Sequence, residues 1–368
     1  MRTPLQPCLK TLALILIWVF FLPGTARAIH VETQEGLSPL QAADYIHSII
    51  EANRTIYSEV IVERLGVTLN LAATENWEAE DTLLLPAQFL LESARLSNAK
   101  GVGMTYRLMS LWPINPKNGP QNDYEKDGLN EINLNPSKPY TRVVTTNGKR
   151  IFHAIYPDKG VVKACMACHN NHPKSPRKDF KLGDVMGGIL ISFPLEKSRS
   201  GDPREQTLVA PEVVSDYIHA VLESDRTVYA EKIVHRLQQK NIAFASENWW
   251  EDNSLLLPAQ FLLDASDLII SKRSDLDFKL ISLWPLNPHN GPANEFERKG
   301  LEYVARHPIR PFIGASSVGG RTYFQAVYPD FAVNQSCVNC HNNHPNSKKR
   351  DFAVNDVMGG IVLTFPTK

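Results

Sequence analysis

Two short segments of the chain carry a spacing that does recognisable chemistry: Cys165-Met166-Ala167-Cys168-His169 and Cys337-Val338-Asn339-Cys340-His341. In such a run both thiols fall on one helical turn, where each can form a thioether to one vinyl group of the same porphyrin. The histidine that follows then lies under the iron and offers an imidazole nitrogen. The pattern implies two covalently attached haem c groups, with Cys165, Cys168, Cys337 and Cys340 as attachment points and His169 and His341 as iron ligands. Two other chemistries use the same residue types. A disulfide within each pair would make a thiol-redox motif, which has no need of the histidine. Zinc would find four ligands in Cys165, Cys168, His169 and His172, although adjacent Cys168 and His169 chelate a tetrahedral ion awkwardly.

What lies on the far face of each iron decides what a haem can do, and two similar sites should use the same residue type. His47 and His219 are the first candidates as further iron ligands. Each begins a polar helical stripe, His47-Glu51-Arg54-Tyr57 and His219-Glu223-Arg226-Tyr229, at steps of four, three and three. Arg54 and Arg226 on those stripes suit haem propionates, since guanidinium pairs with carboxylate. A solvated helix face explains the same stripes without a ligand. His172 and His344, and Met186 and Met358, are the remaining shared candidates. The basic runs Lys174 to Lys181 and Lys348 to Arg350 lie beside the haem histidines and could meet propionates or an acidic redox partner.

The pairs above recur because the chain is one module written twice, at a gapless offset of 172 residues. Leu83 to Leu91 returns as Leu255 to Leu263, and Ser110-Leu111-Trp112-Pro113 as Ser282-Leu283-Trp284-Pro285. Asn170-Asn171-His172-Pro173 returns at Asn342 to Pro345. So long a period means tandem domains: residues 38–194 and 210–368, with a charged linker at 195–209. Within each, an amphipathic helix opens the module (about Leu40 to Leu65), and a second helix follows Pro86. Asn147-Gly148 between Val143-Val144 and Ile151 to Tyr156 predicts a hairpin, and Gly188 to Phe193 an alternating last strand. Helices plus an antiparallel sheet, with the cysteine segment inserted before the last strand, make an α+β fold.

Each module resembles the Tll0287-like (DUF3365) family. The resemblance rests on Arg54-Thr55-Ile56-Tyr57, Leu85-Pro86-Ala87-Gln88-Phe89, Asn115-Pro116 with Asn118 and Pro120, Cys165 to His169, and Gly183-Asp184 with Gly187. The second copy repeats this set except that Asn355 replaces Gly183. The resemblance implies two tandem PAS-like haem-c modules, of a kind found alone and as input domains of bacterial signalling receptors. It also implies that a cysteine from elsewhere in the module can be the far ligand, and here none is left over once Cys8 has gone with the leader.

Residues 1–28 read as that leader. Arg2 and Lys10 precede the uncharged run Leu12 to Leu22, and Thr25-Ala26-Arg27-Ala28 supplies a small-x-small cleavage site. Eleven apolar residues fall short of the ~20 a membrane span needs. The expectation is therefore an exported, soluble, periplasmic protein with no stable membrane span once the signal is removed. Equal counts of 39 basic and 39 acidic residues in 368 argue against a nucleic-acid partner. The reading that follows is a dihaem c-type cytochrome carrying single electrons to or from a redox partner protein. A haem-based redox or gas sensor acting through an output partner is the alternative. No residue is assigned a catalytic role, and an enzyme such as a haem peroxidase or reductase is the third and least expected class.

Overall fold

The structure is a computed structural model that describes residues 36–196 and 207–367. The expected leader, 1–28, and the middle of the expected linker lie outside the described residues. Among the described residues no helix is long and apolar enough to cross a membrane.

Each repeat opens with a long helix, α1 (Pro39–Ile56) in the first. Pro39 suits its first turn, and the Ser38 hydroxyl accepts from the Gln41 N–H at 3.2 Å. Ile46, Ile49, Ile50 and Ile56 line its buried face. The helix then widens into a π-helical turn, Tyr57–Glu63, before a last α turn, Arg64–Thr68. Helix α2 (Pro86–Ala99) follows. Its Leu-Pro-Ala-Gln start has a local cause: Pro86 needs no N–H partner, and Gln88 folds back so that Oε1 accepts from the Leu85 N–H at 3.0 Å. The sheet comprises β1 (Thr105–Met109), β2 (Tyr140–Thr146), β3 (Lys149–Lys159) and β4 (Val185–Leu195), in the antiparallel order β1-β4-β3-β2. Asn147 and Gly148, both at positive φ (51° and 73°), turn β2 into β3, as the hairpin signal predicts. Helix α3 (Asp123–Leu134) covers one sheet face, and α4 (Lys163–Asn171) carries the cysteines between β3 and β4.

The second repeat has the same order. Its helices are α5 (Pro211–Val228), α6 (Pro258–Ser271), α7 (Glu295–Arg306) and α8 (Gln335–Asn343). Its strands are β5 (Asp277–Ile281), β6 (Phe312–Val318), β7 (Arg321–Phe331) and β8 (Val357–Pro366), ordered β5-β8-β7-β6. The α+β class and the two antiparallel sheets are as expected. The last strand is not alternating: β4 is buried almost throughout, because it is a central strand with helices on both faces.

The two repeats are not beads on a string. Helix α1 packs on α5 and α6, and α2 packs on α5, so one hydrophobic cluster draws residues from both repeats. The contacts are reciprocal. Tyr45 meets Phe365 at 5.6 Å between ring centroids, and its counterpart Tyr217 meets Phe193 at 5.6 Å. Phe89 meets its own counterpart Phe261 edge to face at 5.8 Å. Arg64 donates to the carbonyls of Trp249 and Ser254, and Arg236 to those of Trp77 and Thr82. This is the geometry of an isologous dimer interface within one chain. Val209, placed in the linker by sequence, is buried instead and exchanges two backbone hydrogen bonds with Leu37 (3.0 and 2.8 Å).

Candidate functional site

In the second repeat α8 forms one wall of a cavity of about 550 Å³, onto which Cys337, Cys340 and His341 all open. That volume lies within the roughly 300–1,000 Å³ of small-molecule and cofactor sites. The facing walls come from the π turn (Ala230, Val234), the start of α6 (Leu257, Pro258, Leu263) and the end of β5 (Leu280, Ile281). The π turn, Tyr229–His235, is anchored by the Tyr229 hydroxyl, which donates to Leu256 O at 2.9 Å. Sequence periodicity did not reveal this turn. All four thiols are free and half-buried. Burial raises the Cys168 and Cys340 thiols above their ordinary value, with help from Glu75 and Glu247 respectively.

The two histidines are held in the same way. Asn170, next in sequence to His169, clamps the backbone of Phe180: Nδ2 donates to its carbonyl at 2.9 Å and Oδ1 accepts its N–H at 3.0 Å. Phe180 then meets the His169 ring edge to face at 5.8 Å. Asn342 and Phe352 repeat this around His341, with rings 6.0 Å apart. The Asn-Asn-His-Pro repeat therefore orients the imidazole. Burial, with Arg226 and His344 adding to it, lowers His341 to about 4, and burial lowers His169 too. Both imidazoles are thus neutral at ordinary pH, with a lone pair to give, and His169 Nδ1 is buried without a partner.

The cavity, the two thiols that open on it and the neutral imidazole fit a covalently held porphyrin whose iron takes His341. The corresponding contacts recur around Cys165, Cys168 and His169. Zinc fits less well. His172 Nδ1 accepts the Lys174 N–H at 3.2 Å and its Nε2 faces Glu75 at 3.6 Å, so neither nitrogen is offered to the thiols. His344 is engaged alike, by the Asn346 N–H and by Glu247 at 3.1 Å. Among the described residues no three His, Cys, Asp or Glu converge on one point.

The structure redistributes the other sequence candidates. His219 does not line the cavity. Its ring stacks on Tyr328 with centroids 4.1 Å apart, and His47 stacks on Tyr156 at 4.0 Å. Both lie two helical turns before Arg226 and Arg54, a rise of ~10 Å, so the polar stripe runs away from the cavity. Burial lowers both to about 4, and the buried Nε2 of each lacks a hydrogen bond. Tyr156 and Tyr328 are fixed in turn by donating to Asp44 (2.6 Å) and Asp216 (2.7 Å). Arg226 does line the cavity, but its charge is already met: Asp330 lies 3.1 Å away and the Phe331 carbonyl accepts at 3.2 Å. Arg54 pairs likewise with Asp158 at 3.0 Å. These buried guanidiniums are each braced by an aspartate, a partner the sequence reading did not supply. The sequence reading missed Asp158 and Asp330, although the repeated Tyr-Pro-Asp was there to find. Met358 touches the cavity and packs with Ala332, Val338 and Phe352 behind α8. The basic loops are partly spent as well, since Arg177 lies over Trp112 and Phe180, and Lys349 over Trp284 and Phe352.

Fold and site together define a duplicated α+β protein in which each repeat sets a Cys-x-x-Cys-His helix among the same conserved-in-register contacts. The chain belongs to the Tll0287-like family, whose profile matches residues 33–194 and 204–366. Among solved structures it is similar to the cyanobacterial haem protein Tll0287, at 16% identity over 42% of this chain and 96% of that one, with a TM-score of 0.29. No curated protein matches it.

Proposed function

We propose that the protein is a dihaem c-type cytochrome, exported to the periplasm, that carries single electrons between partner proteins. The observation behind this is that Cys337, Cys340 and His341 share one cavity, with the same arrangement of residues repeated at Cys165, Cys168 and His169. Membership of the Tll0287-like family over both repeats supports the choice of cofactor. Bound haem supplies reversible one-electron chemistry at iron. The chain's part is to hold His169 and His341 neutral and oriented by Phe180 and Phe352, and to wall the site with apolar side chains and the neutralised pairs Arg54–Asp158 and Arg226–Asp330. No side chain is assigned a nucleophilic role, and no enzymatic turnover is expected. Intact mass and a reduced-minus-oxidised spectrum, on protein from a host that matures cytochromes, test the reading. Two haem masses are expected, and Cys337→Ser with Cys340→Ser should remove one of them. A colourless protein of polypeptide mass overturns it.

One observation favours a sensor as the second reading: among the residues lining the cavity, His341 is the only imidazole. A far face without a second imidazole suits a small-molecule ligand. Carbon monoxide or nitric oxide binding to the reduced protein without displacing a protein ligand would favour it, and a fully six-coordinate, unreactive iron would exclude it.

A further inference from the structure

Positions 53 and 225 are one repeat apart, so the internal two-fold sets them face to face, and they touch. Asn53 Nδ2 donates to Asp225 Oδ2 at 2.5 Å. Asn53 is 1% and Asp225 3% exposed. Symmetry ends there. On the first repeat's side stand Ser93, Ser97 and Tyr106, where the second repeat has Ala265, Ile269 and Phe278. Ser93 Oγ, Ser97 Oγ, Tyr106 OH and Asn53 Oδ1 are all buried without a hydrogen-bond partner.

Asp225 is therefore a buried carboxyl with polar neighbours but no countercharge. The groups facing it are Asn53 from α1, Ser93 from α2 and Tyr106 from β1, and among the described residues no cation acts on it. Burial outweighs the hydrogen bond from Asn53 and pushes its carboxyl up to about 7. Asn53 suits either protonation state, because an amide presents a donor to a carboxylate and, turned over, an acceptor to a carboxylic acid. The place matters too. Asp225 immediately precedes Arg226 on the cavity wall, and Asn53 immediately precedes Arg54, its counterpart.

We propose that Asp225 is a redox-linked proton site shared by the two haem sites. The proposal rests on the haem reading above. With haem held at His169 and His341, one electron from an external one-electron donor would add negative charge at one of the two sites. One proton from solvent then adds to the Asp225 carboxylate, forming a single O–H bond, and reoxidation returns both. The cause is Coulombic: added negative charge in a poorly screened interior raises the proton affinity of a nearby carboxylate. Ser93 on α2 supplies a hydroxyl beside that carboxyl.

The test is infrared spectroscopy of the full-length holoprotein, held slightly above the pH at which Asp225 titrates. Reduction should bring up a protonated-carboxyl band that Asp225→Asn lacks, and Asp225→Asn should flatten the pH dependence of the reduction potentials. Ser93→Ala removes a polar hydroxyl from beside the carboxylate and leaves it less solvated, so the band should persist to higher pH. If the band and the pH dependence survive in Asp225→Asn, or reduction leaves the band unchanged in wild type, the proposal fails while the haem reading stands. A colourless protein overturns both, and titrating the same band with pH then shows whether Asp225 binds a proton at all.

Discussion

The two Cys-x-x-Cys-His sites and the junction between the repeats follow opposite rules. At the sites the second copy reproduces the first almost contact for contact, in Arg54–Asp158 and Arg226–Asp330 and in the Asn170 and Asn342 clamps, and beyond the cavity in the His47–Tyr156 and His219–Tyr328 stacks. At the junction, where the copies face each other, the reciprocal aromatic contacts accompany the unlike pair Asn53–Asp225, and the unpartnered hydroxyls Ser93, Ser97 and Tyr106 come from the first repeat, where the second has apolar residues. The difference has a physical origin. A duplicated site that serves one chemistry twice keeps the same groups, whereas a residue on the two-fold axis meets its own counterpart. Two carboxylates there would repel and two amides would carry no charge, so one of each is the arrangement that buries a single titratable group.

The sharpest way to break the comparison is to remove one member of each braced pair. Asp330→Ala and Asp158→Ala each strand a buried guanidinium and should cost about 3–5 kcal/mol, by equal amounts, in denaturant unfolding. Unequal losses would mean that the sites are not equivalent. At the junction the effect should be one-sided and set by pH. The folded value of Asp225, about 7, lies above its unfolded value of ~3.9. Its stability contribution is full below the lower value and lost as pH rises through the upper one. Asp225→Asn should thus be more stable than wild type above pH 7, by up to about 4 kcal/mol.

The histidine stacks give the reverse sign. His47 and His219 fall to about 4 in the fold from ~6.5 unfolded, so stability held above the unfolded value is lost as pH falls toward 4. His47→Phe and His219→Phe keep an aromatic ring on the tyrosine and should each remove up to about 3 kcal/mol of that acid sensitivity, read from melting temperature against pH. Smallest is the reciprocal pair of ion pairs across the junction, Lys100–Glu223 at 2.7 Å and Lys272–Glu51 at 2.9 Å. Being part-exposed, each should lose only ~0.2–1 kcal/mol on Lys→Ala, more at low salt than at high.

Much of one module was legible in the sequence, because its cues are local. Pro86 with Gln88 starts a helix, Asn147-Gly148 closes a hairpin, and the offset between the cysteine pairs sets the register of everything else. What depends on distant groups was not. Arg54 and Arg226 look like free cations until the aspartates that end β3 and β7 are folded against them. His47 and His219 look like ligands because helical spacing gives a stripe but no direction. Their burial beneath Tyr156 and Tyr328 depends on where the sheet packs. The linker was misread at its end, since Val209 finds its partner Leu37 far back in the chain. The mutual packing of the repeats escaped notice for the same reason: an apolar helix face announces that it will be covered, and not by which copy.

The way α1 lies against α5 and α6 has a consequence for anyone who would divide this protein. Severed between 196 and 207, neither half would be a finished molecule, for each would bare the oily flank that Phe89 or Phe261 now plugs. Produced together, the halves should reunite of their own accord, and the return of one mixed particle would report the meeting of whatever had been fused to them.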